Sequence, residues 1–93
     1  MTVKVNVFKN GTNLRSGGST QGPNNVIAVI NAGTYEALYQ CAGGNVTEGS
    51  NANFWWVKII AGSQQGWVSA VRIATGGNNE PIPGVEQRRT VFV

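Results

Sequence analysis

Histidine and aspartate are absent from this chain, and cysteine occurs once, as Cys41. Without histidine, neither a Ser-His-Asp nor a Cys-His nucleophilic device can be assembled. The carboxylate side chains are Glu36, Glu48, Glu80 and Glu86, scattered along the sequence. That is a poor source for the close acid–base pair that general catalysis favours. Transition metals ask for imidazole or thiolate clusters and hard cations for several oxygens, and neither donor set is present at ligand spacing. The composition points away from an enzyme and calls for no cofactor or metal. A lone cysteine closes no internal disulfide, so the redox compartment stays open. Cys41 reads as a small buried hydrophobe in a strand, with a reactive thiol or an intermolecular bridge as the alternative.

Charge is scarce as well: 12% of residues are charged, the formal net charge is +3 and the pI is near 9.5. Polarity must come mainly from Asn, Gln, Ser, Thr and Gly. The net charge gives a mild attraction to anionic partners such as cell-wall polymers, nucleic acid or a membrane surface. Lys4, Lys9, Arg15, Lys58, Arg72, Arg88 and Arg89 are spread along the chain, and only the last two are adjacent. Nucleic acid is therefore not the expected partner, because it needs basic residues that converge on one face beside exposed rings. No apolar run approaches the ~20 residues of a membrane-spanning helix. The opening MTVKVNVFKN has no apolar core of signal-peptide length. Taken as a native start, it predicts a protein that is cytosolic, released by lysis or built into a particle, and localisation stays open among these.

What the chain does contain is strand signal. At 93 residues it has room for one domain with a thin core. Val3, Val5 and Val7 alternate with polar residues, the period of a half-buried strand. Asn10-Gly11 is a strong hairpin-turn signal, and Leu14 follows as a core plug ahead of a Gly/Ser/Asn loop. Val26–Ile30 is a short apolar run. Tyr35, Ala37, Tyr39 and Cys41 alternate in the next strand, followed by a polar stretch over 42–53 that reads as a long loop or hairpin excursion. Residues 54–60, FWWVKII, form the strongest strand, with Trp55, Val57 and Ile59 on one face and Trp56 and Lys58 on the other. The lysine predicts that the Trp56 side is the wetter one. Gly66–Ala70 and Val71–Ile73 close the pattern. The sequence GGNNEPIPG carries no packing period, and its prolines favour an extended path. Val85–Val93 ends in a β-prone segment. No amphipathic helix of ordinary length is found, so short strands with frequent turns predict a small barrel.

The ordered motifs resemble those of bacterial SH3 (SH3b) domains. Asn13-Leu14-Arg15-Ser16-Gly17 is similar to the family's opening Leu/Val-Arg-Ser-Gly motif. Val26-Ile27 and Ala32-Gly33-Thr34 resemble the strand and Gly-Thr turn that follow. Trp56-Val57-Lys58-Ile59 resembles its W-x-K-V strand, Gly66-Trp67-Val68-Ser69 its G-W-V motif and Val71-Arg72-Ile73 its closing strand. The resemblance covers residues 13 to about 74 and implies an all-β, SH3-like barrel of five to six short strands, here with extra N- and C-terminal β-segments. The division it suggests is a barrel over 1–74, a Gly/Asn/Pro linker over 75–84 and a β-prone tail over 85–93. It also implies a non-catalytic module, many of whose relatives bind peptidoglycan while others serve as docking domains.

Small barrels bind through exposed aromatics, which offer rigid contact area. The candidate ligand-binding residues are Tyr35, Tyr39, Trp56, Lys58 and Trp67. Core packing is the competing reading for the tyrosines, and structural cover is the competing reading for Trp56. The first functional expectation is a cell-wall binding module. The alternative is a structural subunit of an assembly, such as a phage virion or capsid-decorating protein, in which Val3, Val5, Val7, Val91, Phe92 and Val93 make subunit contacts and the chain is an oligomer or part of a larger particle. An edge strand with an apolar face needs a partner, either the barrel's own sheet or a neighbour.

Overall fold

A computed structural model describes residues 3–17, 25–74 and 78–88. The fold is all-β and barrel-like, with six antiparallel strands among the described residues: β1 (Val3–Val7), β2 (Thr12–Arg15), β3 (Val26–Ile30), β4 (Gly33–Glu48), β5 (Asn51–Ala61) and β6 (Gln64–Ser69). They form one sheet in the order β1-β4-β5-β6-β2-β3. Alternation places Val5, Val7, Leu14, Ala37, Val57, Ile59 and Val68 on the inner face, where they make the main core. The sheet closes because the chain leaving β6 makes one 3-10 turn, Ala70–Arg72, and then returns to β1. Ile73 bridges Val7, and the Ala74 N–H donates to the Asn6 carbonyl at 2.9 Å. The expected closing strand at Val71–Ile73 is thus a turn followed by a single bridge.

Three strand expectations change. Asn10-Gly11 joins strands that are not neighbours, so it forms a corner and not a hairpin. Gly11 has φ 73°, and the Asn10 side-chain oxygen accepts from the Ala32 N–H at 2.9 Å, which ties the corner to the β3–β4 connection. The stretch 42–53 is the hairpin excursion and not an open loop: β4 runs on to Glu48, and a two-residue turn at Gly49-Ser50 leads into β5. Gly49 takes φ 61°, as the first position of such hairpin turns favours. Finally, Val5 and Val7 are buried in the chain's own core against β4, which removes them as subunit contacts; Val3, at the strand's end, is partly exposed. Val91, Phe92 and Val93 lie outside the described residues.

The segment without a sequence period packs after all. Ile82 and Val85 are core residues, held where the chain crosses one end of the barrel. The Asn79 N–H donates to the Ala52 carbonyl on β5, and further on Gln87 makes a parallel bridge to Gln40 on β4. Two isolated apolar side chains among prolines and glycines produce no periodicity, which hides this contact from the sequence. The β-prone tail, as far as Arg88, pairs with its own sheet.

Close approach explains the glycine of Gly66-Trp67-Val68. A Cβ at Gly66 would stand 2.6 Å from Leu14 Cγ and 3.0 Å from the Arg15 carbonyl oxygen. The absent side chain lets β6 and β2 meet where Arg15 pairs with Trp67.

Candidate functional site

Register places the candidate residues across the outer face of the sheet. Lys58 on β5 lies opposite Tyr39 on β4 and Trp67 on β6, and Trp67 lies opposite Arg15 on β2. Side chains directly opposite on a sheet share a face, so Tyr39, Lys58, Trp67 and Arg15 form one row across four strands. The rings of Tyr39 and Trp67 meet edge to face at 5.5 Å, Lys58 Nζ is 5.9 Å from the Tyr39 centroid, and the Arg88 guanidinium covers the same ring at 4.1 Å.

A bulge sets this row. The register slips between Ala37 and Tyr39, so Leu38 is the extra residue. Tyr35 and Ala37 therefore face the main core, whereas Tyr39 and Cys41 turn to the outer face. Simple alternation had grouped all four on one side, and only pairing with β5 reveals the slip. Tyr35 is separated from the other candidates; its hydroxyl donates to the Asn31 carbonyl at 2.6 Å.

A second slip, between Ala42 and Val46, bends the β4–β5 arm back over the outer face. This corrects the expectation for Trp56. The side it shares with Lys58 is not the wetter one, because Trp56 is 1% exposed within a second apolar cluster with Cys41 and Trp67, against Tyr39 and Val46. Its indole N–H donates to the Gly44 carbonyl in the bulge at 2.8 Å. Trp67 is 7% exposed, also more covered than expected. Trp55 packs against the main core but stays half-buried at its margin, stacked on Phe54. Trp56 and Trp67 are therefore a buried platform with the half-buried Tyr39 beside them, and the cations Lys58 and Arg88 lie over the Tyr39 ring.

Beside the row lies an open hollow of about 330 Å³, solvent mouth included, with Trp56, Asn13, Ser69 and Arg15 on its walls and the Glu48–Arg72 pair among its lining groups. Arg72 donates from Nε and Nη2 to the two Glu48 oxygens, both at 2.7 Å, and from Nη1 to the Thr12 hydroxyl at 3.3 Å. The fork of hydrogen bonds from Arg72 holds the Glu48 carboxyl below the ordinary carboxylate range, against a smaller opposing effect of burial. A lowered folded pKa means that this stabilisation is present at neutral pH and is lost as pH falls through the folded value. Glu48→Gln is expected to cost up to about 1 kcal/mol at neutral pH, since the pair is bidentate but partly exposed. The gap in melting temperature between variant and parent should shrink as pH falls below the ordinary glutamate range; a gap independent of pH would reject the assignment.

Charges on the outer face are unevenly matched. Arg72 is paired with Glu48 and Arg88 with Glu86. Lys4 lies in register opposite Glu36. Arg15 donates from Nη1 to a neutral acceptor, Asn25 Oδ1, at 3.2 Å. Among the described residues, Lys4, Lys9, Arg15 and Lys58 form no ion pair with a carboxylate, and of these Arg15 and Lys58 flank Trp67 from either side. Among the same residues no group of three or more His, Cys, Asp or Glu side chains comes together, and no helix is long and apolar enough to cross a membrane. The arrangement can hold an anionic or strongly polar ligand on two surplus cations. Arg15 and Arg88 gain their place in it only from the fold, because neither is near Lys58 in sequence. Comparison with family models, curated proteins and solved structures finds no match to this chain.

Proposed function

We propose that the chain is a non-catalytic binding module of the bacterial SH3 type, and that it recognises bacterial cell wall on the outer face of β2, β6, β5 and β4. The observation that carries this reading is the row Arg15–Trp67–Lys58–Tyr39, in which residues of three of the resembling motifs fall side by side. The order of those motifs along successive strands, ending in the return of Ile73 to β1, supports the SH3-like assignment. A ligand would contact the cations and the hollow beside them, with the buried rings fixing their positions. The test is sedimentation with purified, insoluble cell walls. The protein is expected in the pellet, and its full recovery in the supernatant would reject the reading.

One observation favours the second reading, a structural subunit of a larger assembly. In the sheet order β3 is an end strand, it carries no charged residue, and its Ile27 and Val29 are exposed. Uncharged apolar edges invite pairing with another chain. Sedimentation velocity separates the two: a concentration-dependent increase in mass supports assembly, and a monomer at all concentrations opposes it.

A further inference from the structure

We infer that the wall component held by this face is a linear polymer of phosphodiester-linked polyol units, and not the neutral glycan. The inference rests on the cell-wall reading above and specifies its ligand. Three observations lead to it.

First, the charge left over on the outer face is positive and is placed in line. Arg15 and Lys58 stand on strands separated only by β6, so their backbones are about 10 Å apart at the usual strand spacing. The neighbouring acidic groups are engaged by other cations, Glu48 by Arg72 and Glu86 by Arg88, while Glu36 lies opposite Lys4. A neutral sugar chain would leave both surplus cations without a counter-charge, whereas a polymer with a negative charge in every repeat supplies one to each.

Second, the hollow adjoining Arg15 offers hydroxyl and amide groups, from Ser69 and Asn13, beside the Trp56 wall. These suit the hydroxyl-bearing carbons between phosphates. The Ser69 hydroxyl oxygen already accepts from the Val71 N–H, which leaves its own O–H to donate.

Third, the rings are closed to stacking. Single-stranded nucleic acid has the same phosphodiester charge, but its binding sites add open aromatic faces for the bases. Here Trp67 is nearly buried and Arg88 covers Tyr39. The site retains the electrostatic half of such a surface without the half that reads bases, which favours a polymer that has none.

The experiment compares the folded protein on three probes: Gram-positive cell walls carrying polyol phosphate, the same walls stripped of it by acid, and a single-stranded oligonucleotide. Binding is expected to the intact walls, to fall at least tenfold on stripping, and to exceed that to the oligonucleotide. With two phosphate contacts, raising salt from about 50 to 200 mM should weaken it roughly sevenfold. Lys58→Gln and the double variant with Arg15→Gln should lower both affinity and salt dependence, while Lys4→Gln, outside the row, should change neither. Far-UV circular dichroism checks folding, and Lys58→Gln alone decides the matter if Arg15→Gln disturbs the β2–β6 pairing. Equal binding to intact and stripped walls would overturn the inference and leave wall recognition standing. No binding to either would overturn both. Tighter binding to the oligonucleotide would overturn the inference in favour of nucleic acid.

Discussion

Trp56→Ala is expected to lower stability by about 3–5 kcal/mol, the range for truncating a fully buried large side chain. Total stabilities of small domains run to about 5–15 kcal/mol, so this is a large share. At about 4–8 °C per kcal/mol for a domain of this size, the melting temperature should fall by roughly 12–40 °C. Two losses combine. The ring leaves a void among Cys41, Trp67, Tyr39 and Val46, and the Gly44 carbonyl loses its indole donor. Trp56→Phe fills most of the void but still removes the donor, and should cost about 1–2 kcal/mol. Trp55→Ala should also cost less, about 1–2 kcal/mol, because Trp55 already shares its surface with water at the core's margin. Urea denaturation of the three variants checks the order. A larger loss from Trp55→Ala than from Trp56→Ala would show that the outer cluster is not packed as described.

Gln40→Leu should detach the segment 82–88. The Gln40 side chain is fully buried and spends all its bonds on that segment. Its Nε2 donates to the Ile82 carbonyl at 2.7 Å and to the Val85 carbonyl at 3.0 Å, and its Oε1 accepts from the Ile82 N–H at 2.7 Å. The Gln40 backbone adds two more bonds, from its N–H to the Glu86 carbonyl and from the Arg88 N–H to its own carbonyl. Leucine has similar bulk and no polar atoms, so the Ile82 N–H and the Val85 carbonyl would stay buried without partners, at about 1–3 kcal/mol each, while the Ile82 carbonyl would keep the Val85 N–H at 3.4 Å. The segment escapes that cost by undocking, which exposes Ile82 and Val85 at about 1.5–3 kcal/mol apiece. The net loss should be about 3 kcal/mol. Hydrogen exchange gives the sharper readout: the Ile82 and Arg88 amides should exchange by local opening in Gln40→Leu while β5 and β6 stay protected. Parental protection at both amides would reject the role assigned to Gln40. Release of Arg88 from the Tyr39 ring is a further consequence, so the same variant should alter ligand binding on the outer face.

Much of the barrel can be read locally. Val5 and Val7, and Val57 and Ile59, carry strand period within a few residues, and the structure uses them as the pattern predicts; Gly11 turns the chain as expected, but between strands that do not pair. The scarcity of charge and the lack of histidine are likewise properties of composition, independent of any fold. Three things escape a local reading. The face of Tyr39 and Cys41 depends on the bulge at Leu38, and a bulge is defined by two strands, so one strand's alternation cannot disclose it. The burial of Trp56 depends on an arm that folds back from residues 43–46; the adjacent lysine suggested solvent, but a lysine stem can lie along apolar surface while its head stays wet. The docking of Ile82 and Val85 depends on a glutamine 42 and 45 residues away, a partner no window of sequence contains. Most of the strands and the stock of cations and rings were legible in the sequence, because these follow from local backbone preference and side-chain chemistry, whereas Val71–Ile73 and the Asn10-Gly11 turn took forms that only pairing decides. That Lys58 and Arg88 meet over the Tyr39 ring, that Arg15 comes to lie beside Trp67, and that Trp56 is covered follow from the three-dimensional fold alone, because which face a residue occupies is set by register between distant strands.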